Sequence, residues 1–263
     1  MKLATWNVNS LKVRLGHLLD WLAANPVDFV GLQETKTTDD KFPVDALRAA
    51  GYEAIYSGQP TYNGVALLWR SALGLTPRNI VVGNPLFDDP QRRLIGADFD
   101  ELRLLCAYFP NGQSVGSEKY DYKLRWMQAL HDWLATHDPA LDLMLFGDFN
   151  VAPDDRDVHD PAAWDGQVLV SAPERDALAR IAALGLDDAF RLFEQPPKSF
   201  SWWDYRQLGF RRNAGLRIDH ILVSQRLRPR VTACTIDKAP RRLEKPSDHA
   251  PVVVEWGAAP VPR

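Results

Sequence analysis

The sequence predicts an α/β fold in which two sheets pack together between flanking helices. About ten short apolar runs read as strands. Helical patterns interrupt them around residues 11–24, 118–135 and 172–184, and no Gly/Ser-rich or Pro-rich linker divides the 263 residues. Strand groups interleaved with helices, with no boundary between them, suit two packed sheets better than one doubly wound sheet. A single domain over residues 1–256 is expected, with the tail at 257–263, which carries two prolines, frayed.

Lys2–Val8 reads as the first strand, ending in Asn7 and Asn9, which share a face because strand periodicity is two. Leu11–Ala24 follows as an amphipathic helix, with Leu11, Leu15, Leu18, Leu19 and Leu22 at helical spacing, and stops at Asn25 and Pro26. Val27–Leu32 is a strand running straight into Gln33 and Glu34. Pro43–Ala50 is a short helix closed by Gly51; Tyr52–Ser57 and Val65–Arg70 are strands joined by a turn-rich linker. Arg78–Val82, Arg93–Phe99 and Leu102–Phe109 follow, the last two joined by a tight turn at Asp100 and Glu101. Glu118–Ala135 is the longest helix, its buried stripe formed by Tyr120, Leu124, Met127, Leu130 and Leu134.

The organising strand is Leu141–Asn150 (LDLMLFGDFN), a continuous apolar run of the kind buried on both faces. Gly147 permits a close backbone approach there, and Asp148 and Asn150 are delivered together at the end. An Asp-rich loop follows, then a capping box at Ser171 and Glu174 that opens a helix through Leu184. A short helix and a Pro-Pro break occupy 187–197. Phe200–Tyr205, Leu216–Ser224, Arg230–Asp237 and Val252–Trp256 read as four final strands.

Hydrophobic content of 46% and charged content of 25% are those of a soluble globular protein. The N-terminus lacks the order of a signal peptide and no apolar run is long enough to span a bilayer, so a cytoplasmic protein without membrane contact is expected. Cys106, inside an apolar strand pattern, reads as core, and no disulfide is expected. The net charge of −3 hides an asymmetry: residues 198–245 carry a net +8 and the remainder −11. That segment is either a set of solvated loop charges or a basic face within a weakly acidic protein.

The strand ends deliver Asn7, Glu34, Tyr108, Asn111, Asp148, Asn150 and Asp219, and Ser247, Asp248 and His249 precede the last apolar strand. Carboxylates and amides without cysteine describe a hard-oxygen site, which prefers Mg²⁺ or Mn²⁺ to zinc. A histidine beside acids suits cleavage of a phosphodiester by water.

Asn7 in WNVNS, Glu34 in LQETK, YNGVA at 62–66, YFPNG at 108–112, GDFNVAP at 147–153, WWDYR at 202–206, NAGLRIDHILVS at 213–224 and PSDHAPV at 246–252 occur in order. This pattern resembles the exonuclease III family of apurinic/apyrimidinic endonucleases, within the DNase I-like endonuclease/exonuclease/phosphatase superfamily. The resemblance runs from residue 2 to about 256 and implies a four-layered α/β sandwich of two mixed sheets. It implies Mg²⁺, replaceable by Mn²⁺, at Glu34 with help from Asn7; Asp148, Asn150, Asp248 and His249 complete the candidate ligands and supports. Asp148 would position or deprotonate the attacking water, and Asn150 would bind the phosphate. His249, oriented by Asp219, would contact the scissile phosphate, and Tyr108 and Asn111 the phosphate or leaving group. Trp202, Leu216 and Ile218 would line a pocket for a flipped-out baseless sugar. Some relatives in that family carry an aromatic residue where this chain has Leu216. Adjacent tryptophans on a strand face opposite ways, so at most one of Trp202 and Trp203 points into a pocket. Arg206, Arg211, Arg212 and Arg217 would form a backbone-tracking face beside it, with Asn213 a further substrate contact.

The resemblance thus implies a monomeric Mg²⁺-dependent DNA-repair phosphodiesterase. Its substrate would be double-stranded DNA, cut 5′ to abasic sites or relieved of blocked 3′ ends. The alternatives are an enzyme that is chiefly a 3′→5′ exodeoxyribonuclease, and a non-catalytic nucleic-acid-binding regulator. All the ligand-type residues are present, which disfavours the latter. The narrow WWDYR and NAGLRID motifs disfavour a lipid or small-molecule phosphatase.

Overall fold

The computed structural model describes residues 1–138 and 141–257. Twelve strands lie among them. They are β1 (Lys2–Asn7), β2 (Phe29–Gln33), β3 (Tyr52–Ser57), β4 (Val65–Arg70), β5 (Arg78–Val82), β6 (Leu94–Phe99), β7 (Leu102–Tyr108), β8 (Asp142–Asp148), β9 (Leu186–Asp188), β10 (Asp219–Ser224), β11 (Val231–Ile236) and β12 (Val252–Trp256). They form two six-stranded mixed sheets, ordered β11-β12-β1-β2-β4-β3 and β5-β6-β7-β8-β10-β9. The helices are α1 (Leu11–Ala24), α2 (Val44–Ala49), α3 (Glu118–Leu134), α4 (Pro161–Trp164) and α5 (Ala172–Ala182).

Strand periodicity explains the layering. In β8, Met144 and Phe146 face the other sheet, meeting Phe29, Val65 and Leu67, while Leu143 and Leu145 face Trp126, Leu130 and Ile181 of α3 and α5. The first sheet repeats the arrangement: Ala4, Trp6, Val30 and Leu32 turn outward onto Leu18, Trp21, Leu22 and Leu47 of α1 and α2. Helix, sheet, sheet, helix is the four-layered sandwich expected. The sheets approach closely where Gly31 meets Phe146, since a Cβ there would lie 2.3 Å from that ring. Gly147, at φ 146°, lies against β7, where a Cβ would stand 1.8 Å from the Ala107 carbonyl oxygen. Both cysteines are buried and free. No helix among the described residues is long and apolar enough to cross a membrane.

Four expectations change. The short helix expected within 187–197 shrinks to one 3₁₀ turn at Ala189–Leu192, because Leu186–Asp188 pairs with β10 as strand β9. Phe200–Tyr205 is not a strand: Trp202 makes single bridges to Leu216 and His249, so the segment laces two loops together one residue at a time. The strand expected from Leu216 begins at Asp219, because Leu216 pairs with Val158 and Trp202 outside the sheet. In α3 the buried stripe runs through Tyr120, Lys123, Met127, Leu130 and Leu134, with Leu124 only partly covered. Of the expected frayed tail, residues 258–263 lie outside the described residues.

Parallel pairing fixes where the chemistry collects. β1 and β2 run parallel, as do β7 and β8, so Asn7, Glu34, Tyr108 and Asp148 leave their strands at one edge of the sandwich. β10 runs antiparallel to β8 and sets Asp219 opposite Asp148, which also stands in register with Tyr108.

Candidate active site

Buried Asn7, the last residue of β1, joins the two sheets. Its Nδ2 donates to Glu34 Oε1 and to Asp148 Oδ2, both at 2.9 Å, and its Oδ1 accepts the Asn9 N–H. Two carboxylates from different sheets are thus held on one amide. Glu34 follows β2 in the left-handed region (φ 51°), turning its side chain out of the strand's alternation. Lys36 Nζ lies 2.8 Å from Glu34 Oε2 and donates to Asn9 Oδ1 at 2.6 Å.

From the loop before β12, His249 reaches the second sheet: its Nδ1 donates to both oxygens of Asp219, at 3.1 and 2.9 Å, and its Nε2 stands 3.6 Å from Asp148 Oδ2. Burial alone would lower the His249 pKa; the charges of Asp219 and Asp148 outweigh it and push it up to about 10. Burial raises the Asp148 carboxyl to about 7, against the pull of the His249 charge and with Asp219 adding to the rise. The Tyr108 phenol is pushed well above its usual range, first by burial and then by Glu34 and Asp148. It therefore keeps its proton and acts as a donor.

Asn150 sits in the left-handed region (φ 49°), where its N–H donates to Asp148 Oδ1 at 2.9 Å. Its Nδ2 donates to the Phe109 carbonyl and its Oδ1 accepts from Asn111 Nδ2, each at 3.1 Å, so the two amides are ordered as a pair. Glu34, Asp148 and His249 offer ligand atoms that all lie within 4.8 Å of one another. Glu34 and Asp148 are hard oxygen donors, and they fit a divalent cation of the magnesium class.

A model of the endonuclease/exonuclease/phosphatase family matches residues 4–249. The chain belongs to that family. Exodeoxyribonuclease III from Haemophilus influenzae is 36% identical over 269 residues, covering 97% of this chain and all of that protein. A 3′ phosphatase from Neisseria bound to a product DNA hairpin superposes with a TM-score of 0.92 at 42% identity, covering 98% of this chain and 100% of the other. An AP endonuclease from Archaeoglobus fulgidus gives 0.91 at 35%, with coverage of 98% and 100%.

The structure brings Asn7, Glu34, Tyr108, Asn111, Asp148, Asn150, Asp219 and His249 together. Asp248 stands beside that group, its oxygens engaged by Asn9 Nδ2 at 2.9 Å and Trp202 Nε1 at 3.0 Å. Trp202 is half-buried and Trp203 fully buried, so of the two only Trp202 offers a surface. Leu216 and Ile218 are 0% and 1% exposed, packed with Ala152, Val158, Leu169 and Val170. Fully covered, neither presents an open face. Asn213 Oδ1 accepts from Trp203 Nε1 at 3.1 Å, and its Nδ2 donates to the Lys198 carbonyl, which braces its loop. Arg206 is 86% exposed and lies 2.7 Å from Asp204.

Arg217 is a correction. It is buried, paired with Asp157 at 2.6 Å and Asp188 at 2.7 Å, and so is removed from any DNA-facing surface. Arg230 likewise pairs with Asp142 and Arg241 is buried under Phe210, whereas Arg226, also paired with Asp142, stays exposed. The basic surplus is thus partly internal scaffolding, while Arg206, Arg211, Arg212, Arg242 and Lys245 remain exposed.

Ser201 and Lys123 were not singled out by the sequence, and Ser247 and Glu174, named there as a motif residue and a helix cap, were given no part in positioning the site. Ser201 Oγ accepts the N–H groups of Ile218 and Asp219, both at 3.1 Å, and Ser247 Oγ donates to the Asn7 carbonyl at 2.6 Å. Lys123 and Glu174 form a buried ion pair behind the amides. Of these, Lys123 had a readable signal: it falls on the apolar stripe of α3, three residues from Tyr120 and four from Met127.

Proposed function

We propose that this protein is a DNA-repair nuclease using Mg²⁺, or Mn²⁺ in its place, to hydrolyse the backbone 5′ to abasic sites and to remove 3′-blocking groups. The family and its exodeoxyribonuclease III relatives make it a phosphodiester hydrolase acting on DNA. The observation that carries the mechanistic reading is the partly completed network Asp219–His249–Asp148, whose Nε2 edge lies 3.6 Å from a carboxylate of raised pKa.

Glu34, with Asn7 fixing its orientation, would hold the cation, and Asp248 would support its surroundings through Asn9. Bound there, the ion supplies Lewis-acid stabilisation of charge on the phosphate. Asp148, with its pKa near 7, accepts the proton of the attacking water. His249, kept cationic by Asp219, faces the scissile phosphate and offsets its developing charge. Asn150 and Asn111 orient the phosphate oxygens, and the un-ionised Tyr108 donates toward the phosphate or leaving oxygen. Trp202, backed by Leu216 and Ile218, forms the wall against the sugar. The exposed arginines and Lys245 follow the DNA backbone, so binding weakens as salt rises.

A second reading, chiefly 3′→5′ exonuclease and 3′-end processing, is favoured by one observation: the full burial of Leu216 and Ile218 leaves little open apolar pocket for an extruded sugar. One gel separates the two. The protein is incubated, with Mg²⁺ and with chelator, on a duplex bearing one tetrahydrofuran abasic analogue and on an intact duplex with a recessed 3′ end. A Mg²⁺-requiring nick 5′ to the lesion supports the first reading. A ladder from the recessed end alone supports the second. No product from either removes both.

A further inference from the structure

We infer that the buried Lys123–Glu174 pair is a positioning device, a clamp that sets the phosphate-facing amides Asn111 and Asn150 relative to the apolar wall behind Trp202; the inference rests on the nuclease reading above. Both side chains are 0% exposed. An ammonium has three donors, and all three are used: Lys123 Nζ donates to the Asn150 carbonyl at 2.7 Å, to the Asn111 carbonyl at 3.2 Å and to Glu174 Oε1. The first two acceptors are the backbones of the two residues whose side-chain amides bond each other at 3.1 Å.

Glu174 completes the other arm. Its Oε1 also accepts the Leu169 N–H at 3.1 Å, and its Oε2 accepts the Ser171 N–H at 3.2 Å and the Ser171 hydroxyl at 2.5 Å. Leu169 packs with Leu216 and Ile218, against which Trp202 lies. Two buried side chains therefore tie the amides that would hold the phosphate to the cluster that would back the sugar. Leu169 is held at φ 75°, a conformation costly for a leucine, which the Glu174 bond helps to fix.

A pair serving only stability is often replaceable by neutral residues of similar shape. A pair serving as a clamp is not, because the ammonium's bonds to the two carbonyls have no substitute. The paired variant Lys123→Met with Glu174→Gln is informative: it leaves no buried charge, and the glutamine carbonyl keeps an acceptor for one of the two arms, Leu169 or Ser171. Leu130→Ala, a core truncation on the same helix, is the control for lost stability. On the substrate the wild type cleaves, we expect the pair variant to unfold cooperatively and to lose about a hundredfold in kcat with KM changed less than about threefold. Leu130→Ala keeps its kcat while folded. Deuterium uptake should rise in peptides 109–113 and 149–152 of the pair variant and not in those of Leu130→Ala. A pair variant with wild-type kcat and uptake, or a Leu130→Ala variant that loses as much, overturns the clamp. A wild type that cleaves no DNA overturns the nuclease reading instead, and the uptake comparison still decides whether the clamp exists.

Discussion

Two buried acid–cation networks meet around β10, and they differ in one respect. Arg217 spends its guanidinium fully: Nε donates to Asp157 at 2.6 Å, one terminal nitrogen contacts His220 Nδ1 at 3.0 Å and the other lies 2.7 Å from Asp188. His220 is itself committed to the Val151 carbonyl at 2.8 Å. Around Asp219 and His249 the same chemistry stops one step short, because Nδ1 is bonded and Nε2 is left facing Asp148 at 3.6 Å. Burial without completion costs stability and persists where it serves chemistry. On the proposed mechanism, the closed network is a strut and the open one the reagent.

The largest effect expected is on the open network. Asp148→Asn should lower turnover by about three orders of magnitude while DNA binding is retained, since it removes charge and not shape. Single-turnover cleavage and a binding titration in chelator check both halves. Unchanged turnover removes Asp148 from its role.

The closed network should respond in stability instead. Arg217→Met leaves half-buried Asp188 without its cation and buried Asp157 with Arg191 alone, at a cost of about 3 kcal/mol in chemical unfolding. A pH dependence accompanies it. Burial alone would raise the Asp188 carboxyl, and the Arg217 charge outweighs this and holds it below its ordinary range. A lowered folded pKa contributes stability that is complete above the unfolded carboxylate value, about 4, and is lost as pH falls through the folded value. The acid-unfolding midpoint should therefore move to higher pH in Arg217→Met.

Smaller changes sharpen the contrast at the rim. Glu34→Ala should raise the Mg²⁺ needed for half-maximal cleavage by about tenfold or more; an unaltered metal titration removes Glu34 from the ligand set. Arg206→Ala, at an exposed site, should weaken binding only a few-fold and reduce the salt slope by about one. A wild-type slope would place Arg206 off the DNA path.

This contrast also marks what the sequence could reveal. Apolar runs that end in Asn7, Glu34, Tyr108 and Asp148 are legible, because a strand buried on both faces must be apolar and its polar residues must fall beyond its end. Asp219 and His249 are legible from the motifs around them. Arg217 was misread because charge alone does not say which face of a segment is covered; its partners, Asp157 and Asp188, lie 60 and 29 positions away. The misplaced strand at 200–205 has the same origin, since alternating aromatic residues mark a half-buried extended segment whether its partner is a sheet or a loop. Ser201 acts through backbone N–H groups, which leave no trace in side-chain type, and Glu174 is legible as a helix cap but not as the partner of Lys123, 51 positions away.

The most direct test compares Asp219→Asn with Arg217→Met in single-turnover cleavage, both scaled to the folded fraction. Asp219→Asn should lose about two to four orders of magnitude in rate with its fold intact, because it misorients and neutralises the imidazole. Arg217→Met should cleave at nearly the wild-type rate per folded molecule. Equal losses in both, or a larger loss in Arg217→Met, would contradict the division between strut and reagent.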